Sequence, residues 1–412
     1  MTLPARPNSG YLKLELAAKG VRLDETIRAD VAVLRASPAQ VGSQCGVEIV
    51  LPEDVWVNAP VDEGTAADSP FVLSGSGDQW TLRRNGASVD VRLVAPPHFY
   101  RLTTSSGMPM HRVGTTYGGC ITINPAFACG YSLRGAPCRF CRNGSGVALS
   151  EGFPMSVRDV VEVVRAAFAE GTREFVYFNL SYVGSDDAGI AFLEPYIRAV
   201  KRHFDTLVAV QLHPPKTNRW VDRTYAMGVD ALSYNVEIYD PSILARRCRG
   251  RARYIGRARY YDALGYAATV FPSGTVWSDL IVGVEPAAST MRGIDALTAI
   301  GVLPVLSLFR PLADSQARDP RPLAVDDVVP IYAHLFHAVR GARINMGWLR
   351  DLSFAITPLE ARFFAGNEAR VAVAVQQFYR SRIGTAAARN LARLRRRLRV
   401  RKVSDSFDSS RL

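Results

Sequence analysis

The sequence of 412 residues lacks any uninterrupted apolar run of about 18 residues, the length that a membrane-spanning helix requires. We therefore expect no membrane span. The first residues, MTLPARPNSGYLKLEL, lack the basic-then-apolar layout of a secretory signal, and we expect a cytoplasmic protein. Six cysteines are too few for a disulfide scaffold in a chain of this size. Internal repeats are also missing, and a hydrophobic content of 48% indicates a globular chain of about two or three domains.

Positive charge is concentrated near the C-terminal end. The net charge is +12, but Arg380 to Lys402 holds ten Arg or Lys residues and no acid, which leaves about +2 for the rest. Leu391, Leu394 and Leu398 recur there at helical spacing, which predicts a basic helix. Two interpretations stay open: a solvated arginine-rich helix, which we favour, and a surface that docks RNA phosphates.

Three of the six cysteines, Cys129, Cys138 and Cys141, lie together in the stretch GGCITINPAFACGYSLRGAPCRFCRNGSG. Three thiolates in one loop are one too few to close a four-coordinate site, so a metal or cluster held by them would keep an open position for chemistry. The alternative is a zinc site whose fourth ligand would be Cys120 or His111.

Two further cysteines, Cys45 and Cys248, stand alone in the sequence. We expect both of them to be ordinary structural cysteines.

The chain divides by its pattern of strands and helices. Residues 1–108 hold short segments such as VEIVLPEDVWV, PFVLSG, DQWTLRR and SVDVRLV, which predict a β-rich accessory domain. Over 109–315, strands alternate with helices, which is typical of parallel βαβ units. The prediction is an α/β fold with a partial (β/α)6 TIM-type barrel, followed by a helical extension over 316–412 that includes the basic helix.

The predicted barrel strands are CITINPAF, EFVYFNLS, LVAVQLHP, ALSYNVEIY, YAATVFPSG, VWSDLIVGVEP and VLPVLSLFRP. In such barrels the functional residues collect at the carboxyl ends of the strands. The cysteine loop follows the first of these strands, where a cofactor is expected.

The aromatic Phe140 directly precedes Cys141, and with it the loop resembles the cluster loop of the radical S-adenosylmethionine (radical SAM) superfamily, of the biotin-synthase-like kind. The resemblance implies that the three cysteines hold three irons of a [4Fe–4S] cluster. The fourth iron would bind the amino and carboxylate groups of S-adenosylmethionine (SAM). Reductive cleavage of SAM would then give a 5′-deoxyadenosyl radical that abstracts a substrate hydrogen.

One feature departs from the family pattern. Eight residues separate Cys129 from Cys138, where the family usually has three. Gly130, Gly135 and Pro137 within this gap allow the chain to loop out and return.

The resemblance also implies contacts to SAM at later strand ends. Asn179 and Ser181 stand where the family carries a glycine- and glutamate-rich motif, although no carboxylate is present here. Asn235 and Glu237 are two residues apart and so share one face of a predicted strand. Gly283 lies in a segment similar to the family's Gly-x-Ile-x-Gly motif, whose backbone rests against adenine.

Arginines near the predicted mouth are candidates for the SAM carboxylate or an anionic substrate. Arg249, Arg253 and Arg257 are four residues apart, which predicts one shared helix face. Arg310 ends the last predicted strand. The predicted cofactor-binding residues are Phe140, Asn179, Ser181, Gln211, Asn235, Glu237, Arg249, Arg257 and Gly283.

The sequence therefore predicts a radical SAM enzyme that acts on a small metabolite or natural-product intermediate. Its partners would be that substrate and an electron donor such as flavodoxin or ferredoxin. No second cysteine cluster follows residue 316, which argues against auxiliary clusters. The alternatives are an RNA-modifying radical SAM enzyme that uses the basic helix, and a non-catalytic zinc protein.

Overall fold

The computed structural model describes residues 8–27, 46–61, 66–125, 128–141, 155–171, 175–310, 324–366 and 369–407. Cys45, which we expected to be structural, lies outside these ranges, as do the last two residues of the predicted strand CITINPAF.

A six-stranded sheet forms near the N-terminal end of the chain, with the strand order β1-β4-β5-β6-β2-β3. Only β1 and β4 pair in parallel, and the other neighbours are antiparallel. The apolar side chains of its strands pack into a core of their own. The strands are β1 Arg22–Leu23, β2 Val47–Leu51, β3 Val55–Ala59, β4 Val72–Ser76, β5 Gln79–Arg84 and β6 Ala87–Leu93.

A second sheet of eight strands carries the rest of the fold, in the order β14-β13-β12-β11-β10-β9-β8-β7. The six strands from β8 to β13 are parallel, and the antiparallel β7 and β14 form the two edges. This is the curled half-barrel of a partial TIM-type fold, as the alternation of strands and helices predicted. The strands are β7 Gly114–Tyr117, β8 Cys120–Ile123, β9 Phe175–Asn179, β10 Leu207–Leu212, β11 Ala231–Tyr234, β12 Val276–Val282, β13 Leu303–Leu308 and β14 Ala355–Ile356.

Helices connect the parallel strands and continue beyond them to the C-terminal end. They are α1 Ser9–Lys19, α2 Met110–Val113, α3 Gly130–Leu133, α4 Val157–Ala169, α5 Ile190–His203, α6 Arg219–Ala226, α7 Pro241–Arg247, α8 Arg249–Tyr254, α9 Arg257–Val270, α10 Ala287–Ala299, α11 Val325–Gly341, α12 Arg362–Ala365, α13 Arg370–Arg380 and α14 Arg382–Phe407. Within the described residues, no helix is both long and apolar enough to cross a membrane.

Helix α4 is an example of how the sequence determines a helix that connects two parallel strands. The Ser156 hydroxyl accepts a hydrogen bond from the Asp159 backbone N–H at 3.0 Å and caps the helix. Val160, Val163 and Val164 then recur at helical spacing and are buried against the sheet. Burial of each valine side chain contributes about 1.5–3 kcal/mol.

Two segments differ from the expectation. The stretch YAATVFPSG, expected as a strand, continues helix α9 as far as Val270. The reason is a helical rather than alternating burial pattern, with Ala263, Leu264, Ala267 and Val270 all packed inward. In addition, helix α1 occupies part of the region where only strands and turns were expected.

Buried polar side chains tie the N-terminal elements to the barrel. Lys13 of α1 donates from its Nζ to Glu360 at 2.9 Å and to the Leu352 carbonyl at 2.7 Å. Arg310, directly after β13, donates to the side chain and carbonyl of Asn58 in β3. Arg310 therefore contacts the small sheet, a role we did not predict, and it also lines the cavity at the carboxyl ends of the parallel strands.

The basic helix α14 contacts the barrel through its arginines. Arg396 donates to Asp230 at 2.6 Å and to the Val229 carbonyl at 2.8 Å. Arg393 pairs with Asp205 in the same manner. The leucines of the helix, in contrast, are exposed: Leu391, Leu394 and Leu398.

Candidate active site

One cavity of about 260 Å³ lies at the carboxyl ends of the six parallel strands. Every strand from β8 to β13 contributes at least one lining residue, either from its last positions or from the turn that follows. One from each strand, in chain order, is Asn124, Asn179, Gln211, Asn235, Ile281 and Leu308.

The cysteine loop forms one wall of this cavity, and Cys129, Cys138 and Cys141 all line it. Cys129 directly precedes the short helix α3, so the first half of the long gap forms one helical turn. Gly135, at φ +66°, then reverses the chain. The Cys141 N–H donates to the Cys138 carbonyl at 3.2 Å, which closes the final turn. The eight-residue gap is thus compatible with three thiols on a single cavity wall.

The loop is held close to helix α8 at Gly250. The Gly250 N–H donates to the Ala136 carbonyl at 3.1 Å. A Cβ atom at this position would lie 2.5 Å from the Tyr131 ring and 2.6 Å from the Ala136 carbonyl oxygen. Only glycine permits this approach, which brings α8 against the cysteine loop.

Cys248, expected to be an isolated structural cysteine, is instead the neighbour of Cys138. The two residues pair through a single antiparallel β-bridge. A hydrogen bond from the Cys248 thiol lowers the pKa of Cys138, the Arg251 guanidinium lowers it further, and burial opposes both. The Cys138 thiol therefore loses its proton more readily than an ordinary thiol, and the thiolate is the form that binds metals.

Three aromatic rings stack against the same wall. Tyr131 and Tyr182 lie face to face with ring centres 3.9 Å apart, and Tyr254 is parallel to them at 6.2 Å. The buried His213 places its Nδ1 2.8 Å from the Tyr260 hydroxyl. Burial, aided by Arg251, holds the pKa of His213 well below its usual range, so this ring is neutral at pH 7.

Glu237 and Arg251 form a largely buried ion pair at the cavity, with 2.5 Å between Oε1 and a guanidinium nitrogen. Burial raises the pKa of the Glu237 carboxyl, and Arg251 opposes the rise. Within the described residues, Oε2 of Glu237 and Nε of Arg251 have no hydrogen-bond partner. Glu237 also has φ +66°, a strained conformation that costs about 1–3 kcal/mol and is typical of functional positions.

Asp279 of β12 lines the cavity beside this pair. The Asn235 amide donates to Asp279 at 3.3 Å, and the Ser233 hydroxyl donates to the Asn235 side chain. Burial raises the pKa of Asp279 to about 7, with a further contribution from Glu237. A hydrogen bond of 2.5 Å joins the Tyr177 hydroxyl to Gln211 nearby.

Most of the predicted cofactor-binding residues reach this cavity. Asn235 and Glu237, expected on one face of a strand, do so from the segment after β11, which ends at Tyr234. Those that line the cavity are Phe140, Asn179, Ser181, Gln211, Asn235 and Glu237.

Gly283, Arg249 and Arg257 are not among the lining residues. Gly283 follows β12 at φ +98°, one residue beyond the strand. Arg249 is exposed, and Arg257 stacks on the Tyr239 ring at 4.0 Å. Of the three arginines expected on one helix face, Arg249 and Arg253 do share helix α8, four residues apart. Arg257 begins the separate helix α9, so the expected face does not extend to it.

Sequence reasoning missed Arg251 and Asp279. Arg251 lies in the same short helix α8 as Arg249, but Arg251 is buried and lines the cavity, whereas Arg249 is exposed. Asp279 carried a usable signal, because an acid within an apolar strand is costly unless it is bonded.

The proposed fourth zinc ligands lie elsewhere. The Cys120 thiol donates to the Tyr117 carbonyl at 3.2 Å, and Cys120 does not line the cavity. Nδ1 of His111 lies 3.1 Å from the Tyr100 carbonyl.

Comparisons with known proteins extend these observations. No family profile matches the chain. It is 22% identical over 212 residues to the bacteriochlorophyllide c C-7(1)-hydroxylase of Chlorobaculum limnaeum, covering 47% of this chain and 52% of that protein. The chain thus spans about half the length of this curated relative.

Two solved structures are also similar. The FeFe-hydrogenase maturase from Carboxydothermus hydrogenoformans shares 14% identity with a TM-score of 0.45, covering 54% of this chain and 51% of that one. A radical SAM methyltransferase from Sphaerobacter thermophilus shares 13% identity with a TM-score of 0.39, covering 78% and 80%. The proteins that this chain resembles are radical SAM enzymes. The name of this methyltransferase agrees with the resemblance seen in the cysteine loop, whereas the role of each cysteine stays a prediction.

The residues present fit the [4Fe–4S] cluster and SAM that such enzymes use. Three thiols face one cavity, and Cys248, the nearest further thiol, is buried outside the cavity lining. The unpartnered Oε2 of Glu237 and Nε of Arg251 are an acceptor and a donor available to a bound polar ligand.

Proposed function

We propose that this chain is a radical SAM enzyme that acts on a small metabolite or natural-product intermediate. Cys129, Cys138 and Cys141 would hold a [4Fe–4S] cluster, and SAM would bind beside it in the cavity. The observation that carries the proposal is the placement of these three thiols on one wall at the carboxyl ends of six parallel strands. This leaves one cluster position open to a ligand.

The cysteine loop would supply three thiolates in a fixed arrangement. The Cys248 thiol and Arg251 both stabilise the charged form of Cys138, which lowers the pKa of this thiol. The Gly250 contact and the stacked tyrosines brace the loop against α8 and against the segment that follows β9.

The strand ends would bind and orient SAM. Glu237 would accept from an N–H or O–H group through Oε2, and Arg251 would donate from Nε to a carboxylate. Asn179, Ser181, Gln211 and the ring of Phe140 line the remaining wall. When bound, the cluster and SAM supply a one-electron cleavage of the sulfonium group and a hydrogen abstraction from the substrate.

The reducing electron would come from a donor such as flavodoxin or ferredoxin, as the resemblance implies. Asp279 lines the same cavity and would contact the bound substrate. Because the pKa of its carboxyl is about 7, Asp279 can donate a hydrogen bond or proton near neutral pH.

The RNA-modifying alternative depends on free arginines in α14. Arg389, Arg393 and Arg396 already pair with Asp205 or Asp230 on the barrel. This reduces the positive charge that the helix offers to phosphates. Salt-dependent RNA binding that disappears on removal of residues 382–412 would revive this alternative.

The test is the formation of 5′-deoxyadenosine from SAM by the anaerobically reconstituted protein with dithionite as reductant. We expect the wild type to form it, and Cys129→Ala, Cys138→Ala and Cys141→Ala to form none. Cys120→Ala is the matched control, since Cys120 lies outside the cavity, and it should retain cleavage. Persistent cleavage in Cys138→Ala would refute the proposed site.

A further inference from the structure

A fourth thiol lies directly behind the cluster loop. Cys248 is fully buried between helices α7 and α8, in an apolar cluster with Ile238 and Leu244. Its position follows from the start of α7, where the Asp240 carboxylate accepts from two backbone N–H groups and Pro241 occupies the first turn. Cys248 is therefore placed by the fold rather than by a flexible segment.

The geometry brings Cys248 within bonding range of Cys138. Residues that face each other across an antiparallel bridge have Cα atoms about 4.5–5.5 Å apart. Disulfides span about 4.4–6.8 Å between Cα atoms. The two sulfurs also lie within 4.8 Å of each other. A bond between them needs little backbone movement.

Cys138 is also reachable by a small oxidant. It lines the cavity and is half-buried, whereas Cys248 has no exposed surface. A small disulfide that enters the cavity would react with Cys138 first, and Cys248 would then resolve the mixed disulfide.

We propose that Cys138 and Cys248 form a reversible disulfide in the cluster-free protein, which withholds Cys138 from cluster assembly until the bond is reduced. In its formation the two thiols lose two protons and two electrons. A low-molecular-weight disulfide such as oxidised glutathione accepts them and leaves as two thiols. The disulfide itself depends only on the two cysteines, while its effect on cluster assembly rests on the proposed function.

A divalent cation is the rival occupant of the same place. The two sulfurs and a carboxylate oxygen of Glu237 lie within 4.8 Å of one another. However, the Arg251 guanidinium already pairs with Glu237, and its positive charge repels a second cation there. This favours the disulfide.

The first experiment maps the thiols of the full-length, cluster-free protein. The protein is equilibrated with mixtures of oxidised and reduced glutathione, alkylated, digested without reduction and analysed by mass spectrometry. We expect a peptide that links Cys138 to Cys248, with Cys120 alkylated. Cys248→Ser should lose the link, and the matched control Cys120→Ser should keep it. Alkylated Cys138 at every glutathione ratio, a Cys129–Cys141 link in its place, or zinc bound by the reduced protein would each overturn the proposal.

The second experiment measures iron uptake rather than turnover. Wild-type protein oxidised by dioxygen, without glutathione, should take up little iron and sulfide until a phosphine reductant is added, and Cys248→Ser treated in the same way should take them up without it. Equal uptake by oxidised and reduced wild type would refute the gating role even if the link forms. Failure of the fully reduced protein to assemble any cluster would instead refute the proposed function, and the mapped disulfide would stand.

Discussion

Replacement of Asp279 by asparagine is expected to make the protein more stable at alkaline pH. Burial, with a further contribution from Glu237, raises the pKa of the Asp279 carboxyl to about 7 in the folded protein. The unfolded chain has the usual value of about 3.9. The folded state therefore binds the proton more tightly, and its stability falls as the pH rises from about 4 to about 7 and remains low above that range.

The size of the effect follows from the difference between the two pKa values. About three units correspond to about 4 kcal/mol of folding free energy in total. Roughly 3 kcal/mol of this is lost between about pH 5 and about pH 8.5. An asparagine keeps an oxygen that can accept from the Asn235 amide, but it does not titrate. The variant should lack this share of the pH dependence.

Chemical denaturation of the reduced, cluster-free protein at about pH 5, 7 and 8.5 measures the effect. Asp78→Asn is the matched control, because Asp78 is exposed in a hairpin turn and should leave the pH dependence as it is. The same decline in stability from about pH 5 to about pH 8.5 in wild type and Asp279→Asn would refute the reasoning.

Three further substitutions test the elements around the cavity by chemical denaturation. Gly250→Ala should lower the free energy of unfolding by about 1–3 kcal/mol through overpacking against the cysteine loop. The control is Gly341→Ala, whose added Cβ would meet no atom within 4 Å, so it should not lower the free energy of unfolding. Equal losses in the Gly250 and Gly341 variants would contradict this account. Arg251→Met should lower the free energy of unfolding by about 3–5 kcal/mol, because it leaves the buried Glu237 carboxylate unpaired. Its control Arg249→Met, at an exposed position, should change this free energy by no more than about 0.5 kcal/mol. Arg396→Ala should lose about 1–3 kcal/mol, and an unchanged value would mean that α14 is not held by its arginines.

The sequence predicted the architecture well where local and long-range signals agree. Strands such as LVAVQLHP and VLPVLSLFRP are short apolar runs bounded by turn residues, and they became β10 and β13. The strand predicted for YAATV was wrong, because its β-branched residues favour a strand but tertiary packing buries one face of a helix there. Helix α1 was missed for a related reason, because its Leu12, Leu14 and Leu16 alternate as in a strand.

The candidate site could be predicted only in part. The cysteines and the strand-end polar residues are local in sequence and were found. Cys138 and Cys248 are far apart in the chain, so the spacing of cysteines in the sequence cannot reveal that they are neighbours in the fold. Arg249 and Arg251 both belong to helix α8, and the run of arginines does not reveal which of them lines the cavity.

Iron and sulfide analysis combined with electron paramagnetic resonance of the anaerobically reconstituted protein tests the central claim most directly. We predict a brown protein with one [4Fe–4S] cluster, whose reduced spectrum changes when SAM is added, because the three cysteines leave one iron open to SAM. Cys141→Ala should bind far less iron, and Cys120→Ala should match the wild type. A colourless protein with bound zinc, or a cluster whose spectrum ignores SAM, would contradict the account.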